Sequence, residues 1–461
     1  MSSLREAVIE LSRKLYRKLD PRRLPPGELL ALAGGMVAML FSLVLQWPGA
    51  VLSADGWAYW EGSLSLLAGE GYRYLDAGPI VAWPPGFSAY LALWQLVFGV
   101  SAGTLVFAHA FAIGVAAAIW IAVARRLVPA HPSMPLPPAL VAVAVLLAIV
   151  LPICLRTVLS ESLFMVWLGA AIGVTTRGDA ASAEGPESTP RGLRRTTLLA
   201  LLAGGLMLTR HVGVAFLPAL LWLEWRSRRH PRLTDRTRLL IGVAAAVGLW
   251  FAVRVWLGLL DNNPRMSIDA NAPAALLLNM QANLVALVSC FLPKSLAGVA
   301  FVAVLVSLLI LVPGLGGRRS RTTRTAASAL PAATLLAAGC AAVTWALFGV
   351  SGRRIVLPVA AMLILVAAQW GARSRRRPAR RFVNALLIAF ALVQLGRVAY
   401  WGYHAATAGR EGLSWSATLV RPCSPDRECV LGPNDVVPPD YPWIDRRTES
   451  AAPISRPTPP R

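Results

Sequence analysis

The sequence predicts an all-α polytopic membrane protein with about eleven transmembrane helices, and three observations support this fold class. Hydrophobic residues make up 56% of the 461 residues and charged residues only 15%, whereas soluble proteins carry about 25% charged residues. Apolar runs with few charges recur along the chain, and each can cross about 30 Å of hydrocarbon. Arginines cluster in the short connections between these runs, which is the pattern of cytoplasmic loops.

The positions of the arginine clusters also explain the net charge of +22. They occupy residues 125–126, 191–195, 226–238, 318–324 and 373–381. Because every cluster separates two apolar runs, membrane topology and anionic lipid headgroups account for the charge. The predicted partners therefore include membrane lipids and no nucleic acid.

The arginine distribution predicts three parts of the chain. Residues 1–28 are a basic, amphipathic cytoplasmic segment on the inner leaflet, residues 29–400 are the transmembrane domain, and residues 401–461 are a short extracytoplasmic tail. The first loop, 48–102, lies outside and contains two or three short helices along the membrane. The predicted spans are 29–47, 103–124, 138–155, 161–176, 197–209, 212–225, 239–257, 295–313, 327–349, 355–371 and 382–400.

Cysteine usage indicates neither a disulfide scaffold nor a metal site. Three of the five cysteines lie in or beside apolar runs and are predicted to be small buried hydrophobic residues. Cys423 and Cys429 lie close together in the tail and could pair if the tail is extracytoplasmic. No metal-ligand spacing accompanies them.

Two carboxylates at the outer ends of the predicted helices are candidate catalytic residues. Asp55 lies in an aromatic-rich stretch with Tyr59 and Trp83, side chains that favour the level of lipid headgroups. Glu161 begins the fourth span. A carboxylate at a membrane surface is a functional candidate, although Asp55 could instead cap its helix and Glu161 could complement a helix dipole.

Four basic residues at the same predicted ends are candidate ligands for an anionic substrate. Arg210 and His211 lie at the turn between two short spans, where a guanidinium could bind a phosphate; a structural hydrogen bond is the alternative for His211. Arg353 and Arg354 form a basic pair that the topology places outside, against the usual bias. They could bind an anionic ligand or extend to headgroups.

Several stretches, in this order, resemble the GT-C superfamily of membrane glycosyltransferases. The first is Asp55 with Tyr59 and Trp60, followed by 67–72 (Leu-Ala-Gly-Glu-Gly-Tyr) and 83–87 (Trp-Pro-Pro-Gly-Phe). Ser160-Glu161 is similar to the acidic position of the family's second outer loop, and 208–210 (Leu-Thr-Arg) to a later stretch. Gly352-Arg353-Arg354 resembles the family's Arg-aromatic run, although Arg354 and Ile355 replace the aromatic residue. The nearest branch is that of protein O-mannosyltransferases and lipid A aminoarabinose transferases.

The resemblance implies an enzyme that transfers a sugar from a polyprenyl-phosphate donor to a glycan, lipid or protein acceptor at the outer face of the bacterial cytoplasmic membrane. Asp55 is predicted to be the general base, Arg210 and Arg353 to stabilise the leaving phosphate, and Glu161 to orient a substrate. No cofactor is predicted; a divalent ion between Asp55 and Glu161 is the alternative, although two carboxylates alone make a poor site. The alternatives are a secondary transporter or lipid flippase, and an inactive relative; transporters commonly show paired half-chain repeats, and none is evident here.

Overall fold

The computed structural model describes residues 26–46, 50–51, 54–74, 79–80, 83–128, 158–181, 189–227, 233–256, 326–347, 353–373, 419–424 and 427–431, with isolated positions between 378 and 396. Helices dominate this part of the chain. In order they are α1 Pro26–Gln46, α2 Ala54–Leu67, α3 Gly86–Phe98, α4 Ala102–Leu127, α5 Glu161–Ala181, α6 Thr189–Thr209, α7 Leu217–Ser227, α8 Leu233–Trp256, α9 Ala326–Leu347 and α10 Arg353–Arg373.

Wherever most residues of a predicted span are described, its described residues coincide with a helix. α1 and α4 to α10 cover them, and the span predicted at 212–225 begins with a 3₁₀ helix, His211–Phe216, before α7. The spans 138–155 and 295–313 lie outside the described residues, and only isolated positions of 382–400 are described. The helical character is therefore confirmed, while the number of spans stays a prediction.

Among the described helices, two are long and apolar enough to cross a membrane by length and composition. They are Gly27–Gln46, with a mean hydropathy of 2.1, and Ala102–Leu127, with 2.2. These two helices, α1 and α4, pack along each other. A β-carbon at Gly35 would lie 2.7 Å from the Gly114 carbonyl oxygen, so the close approach requires small residues, as is common between transmembrane helices.

The first loop folds into α2 and α3, which pack together, and α3 also packs against α4. Short helices were expected here, with Tyr59 at the level of lipid headgroups. Instead Tyr59, Trp60 and Tyr72 are buried within the protein. Tyr59 and Trp60 share one apolar cluster with Phe87 of α3 and with residues of α4 and α5. Since burying aromatic rings dominates core energetics, this cluster fixes the loop on the helical domain.

A small three-stranded sheet joins the first loop to the tail and adds to the predicted all-α architecture. β1 (Ala50–Val51) pairs in parallel with β2 (Leu419–Ser424), and β2 pairs antiparallel with β3 (Arg427–Leu431). The register sets Ala50 opposite Leu419 and Val51 opposite Val420. The tail hairpin thus lies beside the residues that lead into α2.

Candidate functional site

Asp55 lies in the first turn of α2 and is half-buried. The helix begins at Ala54, so Asp55 is inside the helix and not at the capping position proposed as the alternative. A carboxylate in a first turn still stabilises the helix through the dipole, by under about 1 kcal/mol. Its charge also acts on the side chains of Tyr59 and Arg210.

Tyr59, one turn after Asp55, connects α2 to the start of α5. Its ring packs edge-on against Phe87, with 5.2 Å between the centroids, and its phenol oxygen accepts a hydrogen bond of 3.1 Å from Ser160 Oγ. Burial raises the pKa of Tyr59 well above its ordinary value, outweighing the opposite effects of Arg210 and Ser160. Tyr59 therefore stays a neutral phenol, and its ring and hydroxyl line the site.

Glu161 and Arg210 form an ion pair next to Tyr59. The Glu161 side chain is 2% exposed and the Arg210 side chain 17%, so Arg210 is the more accessible member of the pair. Arg210 Nη1 also lies 3.5 Å from Ser160 Oγ. Burial acts to lower the pKa of Arg210, but the charge and hydrogen bond of Glu161 outweigh it and raise the pKa. Arg210 is therefore a permanent cation.

The end of α6 fixes the position of Arg210. The helix stops at Thr209, and the extended backbone of Arg210, with φ −151° and ψ 137°, turns the chain into the 3₁₀ helix. The Arg210 amide still donates to the Leu206 carbonyl at 3.0 Å. The predicted turn at Arg210 and His211 is thereby observed.

The Trp-Pro-Pro-Gly-Phe stretch packs against the same turn. A β-carbon at Gly86 would lie 2.6 Å from the Leu208 carbonyl oxygen, so only glycine allows α3 to approach the end of α6 this closely. The Tyr72 hydroxyl donates to the Pro84 carbonyl at 3.3 Å. Trp83 is half-buried between the aromatic clusters of the first loop, which leaves part of its surface open.

The remaining predicted ligands lie in different surroundings. His211 is half-buried, and its ring packs edge-on against Trp250 of α8, with 6.3 Å between the centroids. Arg353 and Arg354 form the first turn of α10, but their side chains lie outside the described residues. The structure therefore brings together Asp55, Tyr59, Glu161 and Arg210, while the roles of all the predicted site residues stay predictions.

The ion pair of Glu161 disfavours a divalent ion beside this carboxylate. The Glu161 carboxylate is already paired with the Arg210 guanidinium, whose positive charge opposes a cation. Within the described segments, no group of three or more His, Cys, Asp or Glu side chains could hold a metal ion.

Ser160 directly precedes α5, a position at which serine commonly caps a helix. In the structure its hydroxyl bridges Tyr59 and Arg210, because α5 begins at the next residue and the serine faces α2. A serine before a helix is so common a capping signal that the sequence offers no sign of this second role.

Comparison with known proteins gives structural neighbours only. No protein-family model matches the chain, and neither does a curated protein. Among solved structures it is similar to ArnT from Cupriavidus metallidurans bound to undecaprenyl phosphate, with 18% identity over 84% of this chain and 72% of that chain and a TM-score of 0.44. The apo form of that protein gives 16% identity over 84% of this chain and 77% of that chain and a TM-score of 0.46.

A second neighbour is the archaeal oligosaccharyltransferase AglB from Archaeoglobus fulgidus in complex with an inhibitory peptide and a dolichol-phosphate. It is 14% identical over 82% of this chain and 55% of that chain, with a TM-score of 0.44. At TM-scores below 0.5 these similarities do not decide the function of this chain, which must be inferred from its own residues.

Proposed function

We propose that this protein is a membrane glycosyltransferase that moves a sugar from a polyprenyl-phosphate donor to a hydroxyl acceptor. The observation that carries the proposal is the Arg210 guanidinium, which is ion-paired with buried Glu161, partly exposed, and within electrostatic reach of Asp55. A permanent cation near a carboxylate provides the two groups that the reaction needs, an anchor for a phosphate and an acceptor for a proton.

The proposed reaction is a single displacement at the anomeric carbon. The Asp55 carboxylate accepts the proton of the acceptor hydroxyl while that oxygen attacks the anomeric carbon from the face opposite the phosphate. The carbon–oxygen bond to the phosphate breaks, and its electron pair leaves with the polyprenyl phosphate. Arg210 stabilises the negative charge that accumulates on this leaving group.

Glu161 has a positioning role in this mechanism. Its carboxylate is buried against the guanidinium, so it holds Arg210 in one orientation instead of contacting the sugar. An arginine preorganised in this way costs little reorganisation when the leaving phosphate develops its charge. Ser160 and Tyr59 complete the support, since the Ser160 hydroxyl contacts both the phenol and the guanidinium.

The membrane location that we propose follows from the apolar surface of the helices. The face of α1 turned away from α4 exposes Leu30, Val37, Leu40 and Val44, a composition suited to lipid. The arginine clusters then place the Asp55 end of the helices on the extracytoplasmic side. A lipid-linked donor explains why a glycosyltransferase would need its site at that surface.

The proposal is tested by mass spectrometry of envelope glycans in a deletion strain complemented with the wild-type or the Asp55→Asn gene. We expect one glycan modification to disappear on deletion and to return only with the wild-type gene. Release of free polyprenyl phosphate from a labelled donor by purified protein provides the matching assay in vitro. An unchanged glycan profile combined with no donor turnover would contradict the proposal and favour a transporter or flippase.

A further inference from the structure

A buried polar network lies between α1 and α4, directly behind the site. His109 of α4 is fully buried, and its Nδ1 lies 2.9 Å from Gln46 Oε1 at the end of α1. Gln46 Nε2 donates to Ser42 Oγ at 2.7 Å. On its other side, His109 Nε2 accepts a hydrogen bond of 3.3 Å from the Leu159 backbone amide. The imidazole thus connects the first span to the residue before Ser160.

These partners fix the tautomer of the ring. A backbone amide can only donate, so Nε2 must be the unprotonated acceptor. The proton of the neutral ring then resides on Nδ1, which donates to Gln46 Oε1. The Gln46 amide is oriented consistently, because its nitrogen donates to Ser42.

The network supports two parts of the site, the turn before α5 and the aromatic rings around Tyr59. Leu159 immediately precedes Ser160 and Glu161, and it has no helical partner for its amide, because α5 begins at Glu161 and the first amides of a helix lack intrahelical acceptors. The His109 ring also packs edge-on against Phe87, at 6.5 Å between centroids, and Phe87 in turn supports Tyr59. The His109 imidazole therefore contacts both the turn that leads to Glu161 and the Phe87 ring that packs against Tyr59.

We infer that His109, in its Nδ1-protonated form, is a positioning residue that fixes the turn before α5 and so aligns Glu161 with Arg210. This inference concerns the geometry of the turn, and its effect on catalysis rests on the proposed glycosyl transfer. If His109 served only to fill the core, a side chain of similar volume could replace it without a hydrogen-bond acceptor at the position of Nε2.

A pair of amide variants separates these roles. In His109→Gln the side-chain oxygen can take the place of Nε2 and accept from Leu159, whereas in His109→Asn the shorter amide can take the place of Nδ1 only. Amide hydrogen exchange at Leu159, resolved from overlapping peptic fragments of the purified full-length protein, reports the hydrogen bond directly. We expect exchange about fivefold faster in His109→Asn and near wild type in His109→Gln, since one hydrogen bond contributes about 1 kcal/mol.

Turnover of the labelled donor gives the second readout. We expect a loss of about tenfold to a hundredfold in His109→Asn, with rescue in His109→Gln, because small displacements of supporting groups cost this much. If the exchange pattern appears but the wild-type protein does not turn over the donor, the positioning role holds and the proposed function fails. Equal Leu159 exchange in the wild type and both variants would overturn the inference.

Gln46→Met provides an independent test if His109→Asn does not fold. It removes the acceptor for the Nδ1 proton and leaves the imidazole intact, so the ring is no longer held in its Nδ1-protonated tautomer. We expect faster Leu159 exchange than in the wild type. Unchanged exchange in this variant would contradict the role that we assign to His109.

Discussion

The guanidinium of Arg210 is paired with the carboxylate of Glu161, and of the two side chains only that of Arg210 reaches the surface to a useful extent, with 17% exposed against 2%. The pair joins the start of α5 to the end of α6. Because the acidic partner is buried, the orientation of the cation is determined by the fold and not by the ligand. This asymmetry distinguishes a binding arginine from a surface salt bridge, in which both partners are solvated.

Glu161→Gln tests whether the pair orients the cation. We expect the KM for the lipid-linked donor to rise about tenfold, since a neutral amide replaces a charge-assisted hydrogen bond. Glu224→Gln is the matched control. Glu224 forms a similar buried pair with Arg195, at 2.7 Å, away from Asp55, so its loss should lower the Tm and leave this KM unchanged. An equal KM effect in both variants would show that Glu161 has only a structural role.

Arg210→Ala tests the phosphate anchor itself. We expect a higher KM for the donor and slower transfer, with only part of the loss recovered by Arg210→Lys, because an ammonium lacks the planar fork of a guanidinium. The sequence predicts the same pattern for Arg353→Ala and Arg353→Lys. Steady-state kinetics on purified variants measure it, and wild-type kinetics in both alanine variants would place the phosphate elsewhere.

Gly86→Ala tests the contact between α3 and the end of α6. Its β-carbon would meet the Leu208 backbone at 2.6 Å, so the turn that carries Arg210 must shift, at a cost of about 1–3 kcal/mol. We expect lower thermal stability together with reduced donor turnover. Gly248→Ala is the control, since no atom lies within 4 Å of the added carbon and alanine favours a helix. Equal behaviour of the two variants would show that the close approach is unimportant.

Single-cysteine labelling tests the topology in intact cells that express a variant with all native cysteines replaced. Cysteines at Glu70 and Arg194 are compared, because both positions are exposed in the structure. The arginine distribution predicts that a membrane-impermeant thiol reagent labels position 70 from outside and reaches position 194 only after permeabilisation. The reverse pattern would place Asp55 on the cytoplasmic side.

The sequence predicted the helices well because apolar length and arginine placement are local signals. It also brought Asp55, Glu161 and Arg210 forward as candidates by their resemblance to a family pattern. It could not predict that Glu161 would be buried against Arg210, or that Ser160 and His109 would support the pair, since those contacts join residues far apart in the chain. The tail sheet was missed for the same reason: β1 has only two residues, and its partner lies in the tail.

Asp55→Asn tests the central claim most directly. The substitution keeps the size of the side chain and removes its ability to accept a proton, so transfer should fall by about two to four orders of magnitude. Stability should change little, because asparagine keeps the size of the side chain and a charge–dipole interaction in the first turn of α2 contributes under about 1 kcal/mol. Donor binding should persist, since Arg210 remains.

Glu28→Gln is the matched control, because Glu28 lies in the first turn of α1 and has the same relationship to a helix dipole. Transfer by the wild type, Asp55→Asn and Glu28→Gln is measured on purified protein beside the Tm of each. We predict that only Asp55→Asn loses transfer while all three stay folded. An Asp55→Asn protein that transfers sugar at the wild-type rate would contradict the assignment of Asp55 as the general base.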